Sequence, residues 1–152
     1  AHQANRALHE QFGGERFVTG QLLRVDVPGG TGAVVNAGHP PPLRVRDGRV
    51  EPVRLEADLP LGLDGGTIYQ AQRLALEPGD RLVLLSDGVV EAAPEAGPAF
   101  GTARLGELLR SSHELAPHEL ARLVIREVIA HRAGDLADDV TVVCLDWRGP
   151  TS

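Results

Sequence analysis

The sequence contains no lysine, and each of its 15 basic residues is arginine. That excludes a phosphate-loop lysine, a Schiff-base lysine and a pyridoxal-phosphate anchor. Methionine is absent too, even at position 1, so Ala1 reads as an internal residue of a longer product. One cysteine, Cys144, excludes an internal disulfide and a cysteine-rich metal site, and it fits a reducing, cytoplasmic compartment. Aromatic residues make up 3% and the formal net charge is -6. A nucleic-acid groove needs a basic face and often stacking platforms, so that class is excluded. No apolar run reaches the length of a membrane span and nothing resembles a secretory signal. No membrane contact is expected of this segment.

What is present is a globular composition: 152 residues, 42% hydrophobic and 24% charged. That suits one domain with a sizeable core. Ala4, Ala7 and Leu8 mark a short amphipathic helix over residues 1–11, ended by Gly13 and Gly14. Residues 17–27 read as a long strand, Pro28 to Gly32 as a turn, and residues 33–37 as a returning strand. Asp47-Gly48 between two alternating runs is a strong hairpin signature, because both central residues of that turn favour positive φ. Residues 67–76 and 81–86 flank the tight connection Glu77-Pro78-Gly79-Asp80.

The period then changes. Leu105, Leu108 and Leu109 are helically spaced within residues 101–112. Leu120, Leu123, Val124, Val128 and His131 form one stripe over residues 117–132, with Pro117 suited to the first turn. Residues 140–147 close as an apolar strand. Antiparallel strands, two helices and a last strand make an α+β layout, with helices packed on a sheet or sheet pair.

Two segments carry candidate chemistry. The run Arg81 to Leu85 is apolar like a central strand and ends in Ser86-Asp87-Gly88. Asp87 stands at the strand end, beside a glycine that permits close backbone approach; the plain alternative is an Asp-Gly turn. Asp138 and Asp139 precede the strand Val140 to Val143, and alone read as a solvated connection. If the two strands are antiparallel neighbours, the end of one meets the start of the other. Asp87 and one of Asp138 and Asp139 then converge, and a cation is needed to offset their repulsion. An all-oxygen site suits Mg²⁺ or Mn²⁺ better than zinc. His39, beside three prolines, either orients substrate or water or anchors a rigid turn; Asn36 in the same segment is a further candidate. The glycines at 29, 30 and 32 lack the strand-to-helix context and lysine of a phosphate cradle, so they read as a hairpin.

Asn36-Ala37-Gly38-His39-Pro40-Pro41-Pro42, Leu59-Pro60-Leu61-Gly62, Pro78-Gly79-Asp80, Ser86-Asp87-Gly88-Val89-Val90-Glu91 and Asp138-Asp139-Val140-Thr141-Val142-Val143 occur in a telling order. The chain resembles bacterial metal-dependent Ser/Thr phosphatases of the stage II sporulation protein E branch, related to eukaryotic type 2C phosphatases. The resemblance implies an antiparallel β-sandwich flanked by helices (α-β-β-α). It implies a two-ion Mn²⁺ or Mg²⁺ centre, with Asp87 as a ligand, Gly88 at the same corner, and Asp138 preferred over Asp139. The reaction implied is hydrolysis of a phosphoserine or phosphothreonine by a metal-activated water. The substrate implied is a regulatory protein, an anti-sigma factor antagonist in a partner-switching pathway, with a sensor domain upstream.

The resemblance departs at one place. The family's Gly-Asp-x-x-Asp strand and Asp-Val-x-Gly-x-Gly segment, with the bridging carboxylate, have no counterpart here. Residues 1–152 are therefore expected to be the C-terminal two-thirds of such a domain, inactive alone. A non-catalytic, phosphatase-like binding module is the alternative. A structural sandwich with an incidental cation is a third reading.

Overall fold

The computed structural model describes residues 1–94, 96–132 and 139–150. In chain order the first elements are α1 (His2–Phe12), β1 (Gly20–Asp26), β2 (Thr31–Ala37), β3 (Leu43–Arg46), β4 (Arg49–Pro52) and β5 (Gln72–Ala75). There follow β6 (Arg81–Leu85), α2 (Asp87–Val90), α3 (Gly101–Ser111), α4 (Pro117–Arg132) and β7 (Val142–Asp146). The fold is α+β with antiparallel sheets and helices, as expected. The described residues form two compact units.

The first unit holds residues 1–41, 54–77 and 149–150. Its sheet has the order β1-β2-β5, antiparallel throughout. β1 is shorter than the run 17–27 suggests. Val18 leaves the ladder and exchanges backbone hydrogen bonds with Leu61 instead, at 2.8 and 2.9 Å. The loop that leads into β5 is tied to α1 through Asn5, which is 1% exposed. Its Oδ1 accepts the Gly62 N–H (2.7 Å) and the Tyr69 hydroxyl (3.0 Å), and its Nδ2 donates to the Asp64 carbonyl (2.9 Å). A buried amide is tolerable because its groups are satisfied in this way. Gly62 has φ +92, and a Cβ there would lie 2.9 Å from the Leu8 side chain. Both the backbone and the space demand glycine.

The second unit holds residues 42–53 and 78–148. Its sheet has the order β4-β3-β6-β7. Asp47 and Gly48 take φ 48 and 70, the positive pair of a two-residue hairpin, and set Val45 opposite Val50. β5 and β6 do not pair across Pro78-Gly79; they belong to different sheets. Central β6 is buried on both faces. Val83 and Leu85 pack with Leu105 and Leu109 of α3 and with Leu120, Val124 and Val128 of α4. Burying a side chain of this size contributes about 1.5–3 kcal/mol, so these helical stripes are the main hold on the sheet. Cys144 packs at the margin of this core, where burial raises its thiol pKa.

Charge pairs lock the start of β6. Arg46 grips both oxygens of Asp80 (2.6 and 2.7 Å), and the Asp80 side chain is wholly buried. Arg81 grips both oxygens of Asp146 (2.5 and 2.8 Å) and also donates to the carbonyls of His113 (3.1 Å) and Leu115 (2.8 Å). These bonds to Arg81 hold the Asp146 carboxyl below its usual range, against the opposing pull of burial. The folded state therefore releases this proton more readily than the unfolded state. The stability it contributes is present above the ordinary carboxylate pKa and is lost as pH falls through the lower folded value. Urea titrations should show stability declining as pH drops below about 4. Asp146→Asn should be less stable at pH 7 and show a flatter acid decline.

Candidate active site

β6 and β7 are antiparallel neighbours, with Leu85 opposite Val142. The end of β6 and the approach to β7 therefore lie at one end of the sheet. One side chain joins them. The Ser86 hydroxyl donates to the Asp139 carbonyl (3.0 Å) and accepts the Thr141 N–H (2.9 Å). The Ser86 N–H donates to the Thr141 carbonyl (3.1 Å). Ser86 occupies the N-cap position of α2, yet its hydroxyl caps nothing there. It is spent across the strands, on the segment carrying Asp139.

Asp87 opens α2, which Ser-Asp-Gly alone suggests only as a turn. Its Oδ1 accepts the N–H of the buried Gly88 at 2.9 Å. That bond fixes one carboxylate oxygen at the strand end. Asp139 is exposed on the facing segment, while Asp138 lies outside the described residues. The donors this corner offers are carboxylate and backbone carbonyl oxygens. In kind they fit Mg²⁺ or Mn²⁺, which take hard oxygen ligands. Among the described residues no group of three or more His, Cys, Asp or Glu side chains is gathered for a metal. The oxygen donors of this corner are thus of the kind that a hard cation takes.

Asn36 and His39 belong to the first unit. Asn36 is 1% exposed, and its Oδ1 accepts the His39 N–H at 2.9 Å. The His39 Nδ1 lies 3.1 Å from the Thr19 hydroxyl. Gln21 donates to the Pro40 carbonyl at 2.9 Å. The turn after β2 is thus held from three sides. Thr19 and Gln21 were not foreseeable as its partners, because nothing local in the sequence links β1 to residues 39 and 40.

The chain matches the family Stage II sporulation protein E (SpoIIE) over residues 1–148. It belongs to the SpoIIE family. Protein IcfG of Synechocystis is 28% identical over 123 residues, which cover 80% of this chain and 19% of that protein. The RsbU and RsbW domains of a Mycobacterium tuberculosis protein match with a TM-score of 0.79 and 27% identity, over 97% of this chain and 42% of theirs. The phosphatase domain of the cell fate determinant SpoIIE from Bacillus subtilis matches with a TM-score of 0.68 and 25% identity, over 88% of this chain and 57% of that domain. This chain therefore spans about half of these solved chains and a smaller share of the curated relative. Its structural neighbours are phosphatase domains of the type 2C class.

Removing the Ser86 hydroxyl should loosen the facing segment without touching the core. Ser86→Ala is expected to cost about 1–2 kcal/mol. Amide exchange at Thr141 should accelerate, while Val83 and Cys144, deeper in the same ladder, keep their protection. Unchanged exchange at Thr141 would show that the hydroxyl does not hold this segment.

Proposed function

We propose that this chain is the greater part of a Mn²⁺- or Mg²⁺-dependent protein phosphatase domain acting on phosphoserine or phosphothreonine. The observation that carries the reading is the corner joined by Ser86, where β6 delivers Asp87 and the facing segment delivers Asp139, with Asp138 beside it in sequence. Family membership over residues 1–148 supports the reaction class. When bound, divalent ions lower the pKa of a water and neutralise phosphoryl charge.

The chain's own residues do the holding. Asp87 would ligate through the oxygen that Gly88 does not occupy, and backbone carbonyls at the corner would complete the oxygen set. Asp138 is proposed as the second ligand, ahead of Asp139. A pair of ions spaced at roughly 3.5–4 Å demands further carboxylates, so the activity is proposed for the complete domain. Asn36 and His39 are proposed as a rigid turn that presents the imidazole to substrate or water. The proposed substrate is a phosphorylated regulatory protein, an anti-sigma factor antagonist, in the cytoplasm. No helix among the described residues is long and apolar enough to cross a membrane.

The test is made in the complete protein with a phosphoserine protein and Mn²⁺. Asp87→Asn and Asp138→Asn should each reduce turnover to the level of a metal-free control while leaving the unfolding midpoint nearly unchanged. Asn keeps the shape and removes the charge that balances a cation. Wild-type turnover in both variants would exclude the assignment. Phosphoprotein binding without turnover in the wild type would instead favour a non-catalytic module. Assayed alone, the 152-residue chain should bind Mn²⁺ weakly and show no turnover.

A further inference from the structure

α4 is held to its unit by one face. Leu120, Val124 and Val128 are fully buried in the core with Val83 and Leu85 of β6, and the opposite face is turned to solvent. On that outer face His118, Arg122, Arg126 and Ile129 follow one another at intervals of four, four and three residues. Those intervals place them in one row along the helix. All four are exposed, and Ile129 is 46% exposed.

The row breaks two local rules. Like charges four residues apart on a helix repel, and Arg122 and Arg126 are placed in that way. A large apolar side chain among them stays in water, where it contributes nothing. The neighbouring helix shows the ordinary arrangement: on α3, Glu107 and Arg110 pair across one turn at 2.7 Å. On α4 the carboxylates are used elsewhere. Glu119, three residues before Arg122, accepts the Ala116 N–H at 3.1 Å and caps the start of the helix. Glu127 is next to Arg126 in sequence, and its oxygen lies 3.8 Å from the guanidinium, beyond hydrogen-bond length. No carboxylate among the described residues pairs with Arg122. Local features that weaken an isolated fold are expected where a partner compensates for them.

The row also defines the chemistry of that partner. Residues four apart on a helix are about 6 Å apart along its axis, so the two guanidiniums match carboxylates at i and i+4 of a second helix. Each guanidinium can take a carboxylate through two directed bonds. An apolar side chain beside those carboxylates would cover Ile129. An anionic membrane fits less well: the chain's net charge of -6 opposes approach to an extended polyanion, and one isoleucine inserts little apolar area. We propose that the outer face of α4 is a docking surface for an acidic amphipathic helix of a protein partner. The proposal does not depend on the phosphatase reading.

The experiment titrates the 152-residue chain into a fluorescently labelled, alanine-based helical peptide and follows anisotropy. The peptide carries Glu at i and i+4 and Leu at i+3 and i+7. Saturable binding that weakens as sodium chloride is raised is expected. Arg122→Gln and Arg126→Gln should each weaken it about tenfold, the loss of one charge-assisted pair. Their unfolding midpoints should hold or rise slightly, because a like-charge repulsion is gone. Ile129→Ser should weaken binding without changing its salt dependence. Arg122→Glu combined with Arg126→Glu should exchange the preference, so that a peptide with Lys in place of Glu binds instead. The same proteins are mixed with phosphatidylglycerol vesicles and run in sedimentation. No saturable peptide binding, equal binding of a Gln-for-Glu peptide, or undiminished binding by Arg122→Gln would overturn the proposal. Vesicle binding or self-association that disappears in the arginine variants would also overturn it, since the face would then belong to a lipid surface or to a second copy.

Discussion

The pairing of β6 with β7 is the constraint on which the second unit depends. β6 is buried on both faces, so its backbone groups must find partners within the sheet. β7 supplies one whole side of that ladder, from Arg81 opposite Asp146 to Leu85 opposite Val142. A slip of one residue would turn Val83 and Leu85 away from the helices. Side chains oppose that slip at both ends of the pair. Arg81 meets Asp146 as a fork on a carboxylate, and Ser86 bridges to Asp139 and Thr141. The helices α3 and α4 bury their apolar stripes against this sheet, but they can dock only on a face already in register.

Burying charge to set register is costly, and the arrangement shows how the cost is met. The Asp80 side chain is wholly buried, and Arg46 answers it with two bonds in a plane. Arg81 has no lysine equivalent, since its bonds to Asp146 and to two carbonyls use the guanidinium's fixed fork. Replacing either carboxylate would take the opposite charge away from a partly buried guanidinium, which is the expensive case. The absence of lysine from the sequence therefore matters structurally as well as chemically: the available cation forms several directed bonds at once.

Much of this was legible in the residues, and the reasons are local. Asp47-Gly48 announces its hairpin because few residue pairs accept two positive φ angles. The stripes of α3 and α4 are legible because a helix buries one face, and an apolar run such as β6 reads as central for the same reason in two dimensions. The illegible features are those decided by distant partners. Val18 looks like strand until Leu61 claims its backbone. β5 and β6 look like a hairpin pair, yet each finds a better neighbour in another sheet. Asn5 reads as an ordinary polar residue of a short helix, and only the loop that folds onto it makes it a buried hub. At the candidate site, the meeting of the β6 end with the β7 start follows from two apolar strands. The Ser86 hydroxyl could not be read, because its partners Asp139 and Thr141 are more than fifty residues away.

The two ends of the β6–β7 pair are held by different kinds of bond. At the Arg81 end the buried Asp80 carboxylate and the partly exposed Asp146 carboxylate each meet a guanidinium, so the charges cancel internally. At the Ser86 end a neutral hydroxyl joins the strands, and a backbone N–H holds the Asp87 carboxylate. That difference bears on the proposed chemistry. A cation site needs carboxylates held in place by groups that do not neutralise them, since an arginine there would compete with the ion. Hydroxyl and backbone N–H donors orient oxygens without supplying a full charge. Ser86 and the Gly88 N–H do this, one on the backbone that carries Asp139 and the other on the Asp87 carboxylate itself. Rigidity at the far end then serves the corner as well, because a ladder pinned at Arg81 keeps Ser86 level with Thr141.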